Sequence, residues 1–162
     1  MPNTSNHDDL RVYFFKPGKD WLSRLVCFAG WATGRNPTYT HIAVKHYDLD
    51  TLFHLTLEGG QWVELHELLE WSPEYVVVQV PVSEDMDDTS LIYTLSAMQY
   101  SGVSFIGLLQ LLFRKHRPYH NHLVCTDLPQ IARGMVPYDV AATPDELYTL
   151  YTALYGSQDG EK

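Results

Sequence analysis

Apolar and polar positions change rhythm along this chain, and each rhythm predicts an element. "RVYFF" (11–15) is a short apolar run closed by "KPGK", the pattern of a strand ending in a turn. From Asp20 to about Ala32, Trp21, Leu22, Leu25, Val26, Phe28 and Ala29 fall on one side of a helical wheel and predict an amphipathic helix with those residues as its apolar face. "THIAVKHY" (40–47) and "LFHLTLEGG" (52–60) read as two strands around "DLDT"; "WVEL" begins another, and the Val-rich "EYVVVQVPV" (74–82) is the strongest strand pattern in the chain.

The period then lengthens. From Asp85 to Gln99 it is helical, with Leu91, Leu95 and Met98 on one face, and the acidic "SEDMDD" (83–88) suits a helix start because carboxylates favour that end of the dipole. A second apolar helix is expected over Ile106–Phe113. "TPDELYTLYTALYG" is the clearest helix: Thr143 caps it, Pro144 opens it, Glu146 completes a capping box, and Leu147, Leu150, Tyr151 and Leu154 form its core face. The order predicts an α+β fold, a small antiparallel sheet packed against helices. No internal repeat or dividing linker is present. One domain is expected over 11–155, with 1–10 and 156–162 as flexible termini.

Composition narrows the function classes. The chain of 162 residues is 45% hydrophobic, enough for a core, and carries a formal charge of −9. That balance argues against nucleic acid as the main partner, since phosphate binding needs clustered Lys and Arg. The N-terminus has no apolar segment like a signal peptide's, and the longest apolar run, "FIGLLQLLF" (105–113), is far short of the roughly 20 residues of a membrane span, so no integral membrane segment is expected. Two widely separated cysteines make no disulfide framework, and the expected compartment is a reducing cytosol or a particle assembled in one.

Candidate chemistry concentrates in "HNHLVCTDLPQIARG" (120–134). A helix running to Arg133 and stopping at Gly134 must hold Pro129 in its first turn, where a missing N–H does no harm. Thr126 or Asp127 is then the N-cap, and Cys125 sits at or just before the helix start. There the dipole favours the thiolate, and a pKa falling from about 8.5 towards neutrality is expected. Upstream, His41 shares a strand face with Ala43 and Lys45. With a hairpin turning at Asp48–Thr51, His41 lies opposite Glu58; a turn centred two residues earlier brings His54 opposite His41 instead. Cysteine, histidine and a polar orienting residue are the parts of a nucleophilic site. A buried structural thiol remains the other reading of Cys125.

Other residues carry weaker signals. His120, His122 and Cys125 sketch a zinc corner, but no second ligand pair has standard spacing, so no metal is assigned and the two histidines read as neighbours of the cleft. Cys27 lies inside its helix, beside Ser23 and Arg24 and away from the dipole end, which is poor placement for a nucleophile. The aromatic and Leu-rich stretches are core, or else an acyl-chain groove or docking surface.

Taken in order, "THIAV", "LEGGQWVEL", "YSGVSFIGLLQLLF", "VCTDL" and "TPDELYTLY" resemble the motifs of circularly permuted NlpC-like cysteine peptidases, a papain-related group that includes YiiX-like proteins and some phage-encoded members. The resemblance spans roughly 11–155. It implies a papain-like fold, Cys125 as nucleophile, His41 as general base, and Glu58 as the third residue, with His54 as the fallback. It departs from the group's pattern in having Thr126-Asp127 where Ser-Glu is usual. It implies no cofactor, a peptide, isopeptide or acyl substrate, and hydrolase (peptidase or amidase) or acyl-transfer activity in the cytoplasm or a phage particle. The alternative expectation is an inactive member serving as a binding or structural protein among phage particle proteins.

Overall fold

At the centre of the computed structural model, which describes residues 9–46, 49–83, 85–100, 124–134 and 143–156, lies the strand β1 (Asp9–Phe15). It pairs antiparallel with β2 (His41–His46) on one side and with β5 (Tyr75–Pro81) on the other. Beyond β2, β3 (Leu52–Leu55) and β4 (Gly60–Val63) complete a five-stranded antiparallel sheet of order β4-β3-β2-β1-β5. The protein is thus α+β, as its pattern predicts. Asp9 already pairs with Pro81 and Leu10 is fully buried, so these two residues belong to the sheet and not to the loose terminus expected over 1–10. The helix expected over Ile106–Phe113 lies outside the described residues.

Alternation along the strands sorts side chains onto two faces. Leu10, Val12, Phe14, Ile42 and Val44 point to the larger core. Packed against them are α3 (Asp88–Ala97), a 3₁₀ turn over Cys125–Asp127, α4 (Leu128–Ala132) and α5 (Pro144–Tyr155). Tyr13, Phe15, Ala43 and Leu52 point the other way, towards Leu68 of α2 (Leu65–Trp71). Because β1 buries both faces, its Val12–Phe15 stretch reads as a continuous apolar run. Each large side chain so buried contributes about 1.5–3 kcal/mol.

The helices obey their sequence signals unevenly. In α5 the capping box forms: the Glu146 N–H donates to Thr143 Oγ1 (3.2 Å) and the Thr143 N–H donates to Glu146 Oε2 (2.9 Å). Leu147 and Tyr151 are buried, but Leu154 is exposed, because the helix ends past the edge of the core. Asp145, in the same first turn, accepts the N–H groups of Thr38 (2.9 Å) and Tyr39 (3.0 Å) and so pins the chain just ahead of β2. Arg133, after α4, donates to the Pro81 carbonyl and the Tyr155 hydroxyl, tying α4 to β5 and α5. His46 Nε2 lies 2.9 Å from Asp88 Oδ1, which fastens the end of β2 to the start of α3.

Helix α1 (Trp21–Ala32) forms where expected and its Leu22 packs on the larger core, but the aromatic residues of its expected apolar face turn outward. Its buried residues are Ser23 and Gly30, whereas Trp21, Phe28 and Trp31 are 59%, 63% and 69% exposed. The reason is close approach. Ser23 Oγ hydrogen-bonds Thr40 Oγ1 (3.1 Å), and a Cβ on Gly30 would lie 2.6 Å from the Pro37 ring and 2.9 Å from the Arg35 carbonyl. Small residues let the helix seat there, and its aromatic residues turn outward.

The hairpin between β3 and β4 is built on Gly59, whose φ of 144° is outside the range L side chains favour. Thr56 N–H donates to the Gly59 carbonyl (2.9 Å), and a Cβ on Gly59 would run into the Gln99 carbonyl oxygen. Gly59→Ala is therefore expected to lower the unfolding free energy by roughly 1–3 kcal/mol. Guanidinium denaturation measures this, and an unchanged midpoint would show that the turn relaxes freely.

Candidate active site

His41 opens β2 and His54 lies in β3. The observed register sets Ala43 opposite His54 and Val44 opposite Phe53, midway between the two registers considered from sequence. His41 and His54 are consequently diagonal neighbours on one face of the sheet. His41 Nε2 lies 3.0 Å from His54 Nδ1, with the rings edge to face at 5.2 Å. Continued along the strands, the register would put Thr56, not Glu58, across from His41. Glu58 is exposed in the β3–β4 turn, its N–H donating to Thr56 Oγ1 (3.2 Å). β3 thus pairs two residues out of the register that a turn at Asp48–Thr51 would set.

A cavity of about 390 Å³ lies over the histidine pair. Phe15, Trp21, Leu57 and Trp71 supply apolar wall, and Asp20, Thr40 and Glu58 supply polar groups. Phe15 packs beside His41 (ring centroids 6.1 Å) and Trp71 beside His54 (6.2 Å). This apolar setting disfavours the charged imidazoles. Burial, only partly offset by the nearby Asp20 carboxylate, pulls His41 down to about 4. Burial, reinforced by His41, pulls His54 down to about 3. His54 is 1% exposed, and its Nε2 has no partner among the described residues, so a second proton there would be a bare buried cation.

Cys125 opens the 3₁₀ turn that leads into α4, with Pro129 the second residue of that helix and Gly134 (φ 74°) just past its end. Pro129 in the first turn of α4 thus sets the thiol just before the helix, as expected. Asp127 caps backwards, Oδ2 accepting from the Val124 N–H at 2.8 Å. The 3₁₀ turn packs on β2, and the backbone amides of Ile42, Cys125 and Thr126 lie where they favour negative charge on the sulfur. Ile42 follows His41 directly, but its side chain points to the opposite face. Cys125 belongs to the larger core, 7% exposed, and does not line the cavity over the histidines. Among the described residues the groups that favour its thiolate are backbone amides, not an imidazole. Burial outweighs those amides and pushes the thiol up to about 11, the reverse of the fall towards neutrality expected from a helix start.

Searched against protein-family models, curated proteins and solved structures, the chain matches none of them. Function must therefore be read from these residues.

His120 and His122 lie outside the described residues. Among the described residues no three His, Cys, Asp or Glu side chains gather in a group that could hold a metal ion. Cys27 is half-buried in α1, its thiol pushed up by burial and by Asp20. Sequence reasoning overlooked Asp20 as a site residue. It caps α1, Oδ2 accepting from the Ser23 N–H at 2.8 Å, and is also the carboxylate felt by His41. Its only visible signal was its place before an apolar-periodic segment.

The depressed histidines make stability depend on pH. Unfolded imidazoles take up protons near pH 6.5, the folded pair only near 4 and 3, so between those values the unfolded chain binds more protons and stability falls as pH falls. Between pH 7 and 5 the loss is expected to be about 2 kcal/mol for each histidine, or on the order of 4 kcal/mol for the pair. Urea denaturation at the two pH values measures it, and His54→Gln should shrink the loss by about half. An equal loss in the variant would assign the dependence to other groups.

Proposed function

We propose that the protein is a cysteine-dependent hydrolase (peptidase or amidase) or acyl-transfer enzyme, with Cys125 as nucleophile, His41 as general base and His54 as the residue that orients His41. The observation that carries this is the 3.0 Å bond from His41 Nε2 to His54 Nδ1. With His41 Nε2–H donating, His41 Nδ1 keeps its lone pair, the state a base needs, and His54 takes the orienting role ahead of Glu58. The two groups start neutral, an imidazole well below neutral pH and a thiol well above it. Proton transfer therefore accompanies attack instead of preceding it.

In that reaction His41 Nδ1 takes the Cys125 proton, the sulfur bonds to an amide or ester carbonyl carbon, and the tetrahedral adduct expels its leaving group, which receives the proton from His41. Water or another acceptor then cleaves the thioester. The amides of Cys125 and Thr126 stabilise negative charge on the sulfur as the proton departs. The reading requires the thiol to leave its amide cradle and meet His41 when substrate fills the cavity. It takes the fold as a permuted NlpC-type, papain-like domain acting on a peptide, isopeptide or acyl substrate, in the cytoplasm or a phage particle.

A second reading, a catalytically silent binding or structural protein, is favoured by one observation: Cys125 sits in the core and not in the cavity wall. Activated-ester turnover followed by intact mass distinguishes the two. The hydrolase reading expects an acyl adduct on Cys125, no turnover in Cys125→Ala, and a loss of about 10²–10⁴-fold in His41→Ala. His54→Gln should lower turnover less and shift its pH profile. An unmodified Cys125 in the natively folded protein, with ester cleavage equal in Cys125→Ala, would sink the hydrolase and leave the binding protein.

A further inference from the structure

Helix α1 presents an aromatic face to solvent that the candidate chemistry does not use. Trp21 and Phe28 lie two turns apart, about 10 Å along the axis, and Trp31 stands beside Phe28 with ring centroids 6.0 Å apart. All three are more than half exposed. Arg24, also exposed, falls between them on the same side of the helix. An outward face of two tryptophans and a phenylalanine on a helix seated by Ser23 and Gly30 is a surface awaiting an apolar partner.

Charge identifies that partner. The chain as a whole carries −9, yet residues 16–35 hold Lys16, Lys19, Arg24 and Arg35 against the single acid Asp20. Lys16 pairs with Glu74, while Lys19, Arg24 and Arg35 make no ion pair among the described residues. Basic side chains interleaved with exposed tryptophan and phenylalanine are the composition of a helix lying in a membrane interface, where the rings enter the headgroup boundary and the cations meet anionic lipid. Trp21 also lines the mouth of the 390 Å³ cavity, so the aromatic face is continuous with that opening.

We propose that α1 docks the protein on an anionic lipid surface, with Phe28 and Trp31 inserted, Arg24 at the headgroups, and the cavity mouth held against the bilayer. No described helix is long and apolar enough to cross a membrane, so the attachment is peripheral. The proposal does not depend on Cys125 or on turnover.

Sedimentation with vesicles tests it, using phosphatidylcholine alone and phosphatidylcholine mixed with phosphatidylserine. The full-length protein should bind the mixed vesicles at least about tenfold more tightly, lose binding at high salt, and show a blue shift of tryptophan emission on binding. The double variant Phe28→Ser/Trp31→Ser should lose about tenfold or more in partitioning. Arg24→Glu should lose chiefly the preference for phosphatidylserine. Both alter exposed side chains, so an unchanged Tm serves as the control. Absence of binding to either vesicle, equal binding to both, or undiminished binding by the double variant would overturn the proposal. So would lipid-independent self-association that the double variant abolishes, which would make this face an interface between two copies.

Discussion

Everything in this structure is arranged around β1, a strand buried on both faces and paired along both edges. A sheet with two buried faces forces successive residues of its strands into different cores. That constraint reaches the candidate chemistry directly. His41 and Ile42 are adjacent in β2, yet the imidazole goes to the α2 side with His54, while Ile42 goes to the side that holds Cys125. The thiol approaches the histidine strand through the Ile42 amide. The candidate base and the candidate nucleophile therefore belong to two packing environments joined by one peptide unit.

The same burial decides the electrostatics. A helix start and backbone amides favour a thiolate, and a carboxylate near an imidazole favours the imidazolium. Both influences are present, from the amides of Ile42, Cys125 and Thr126 and from Asp20. Both lose to desolvation, because the thiol is in a core of Ile42, Val124 and Leu128 and the imidazoles lie among Phe15, Trp71 and each other. A resting pair held neutral on both sides differs from a preformed ion pair. Any proton exchange between them must be driven by what enters the site.

Strand and cap signals were legible because they are local. The β-branched run of β5, the Thr143–Glu146 capping box and Pro129 each fix geometry within a few residues, and each appears where its chemistry requires. Register was not legible, because two residues of slip keep the same face pattern and only the turn and its contacts choose between them. That slip replaced Glu58 by His54 as the partner of His41. Desolvation of Cys125 was not legible either, since burial depends on what packs over the turn and not on its sequence.

Helix α1 shows the limit most clearly. Periodicity defines two sides of a helix but not which one faces inward. In α1 the choice went to the side with Ser23 and Gly30, because a hydroxyl pair with Thr40 and the close approach of the Pro37 ring and the Arg35 carbonyl accept only small residues. Asp20 ties that choice to the site. Its carboxylate caps α1 through the Ser23 amide, and the same carboxylate favours charge on His41. Turning the aromatic face inward would carry Ser23 away from Thr40, loosen the residue immediately before His41, and withdraw Trp21 from the cavity wall. The outward aromatic face and the His41 environment are thus two consequences of one helix docking, fixed by its smallest side chains.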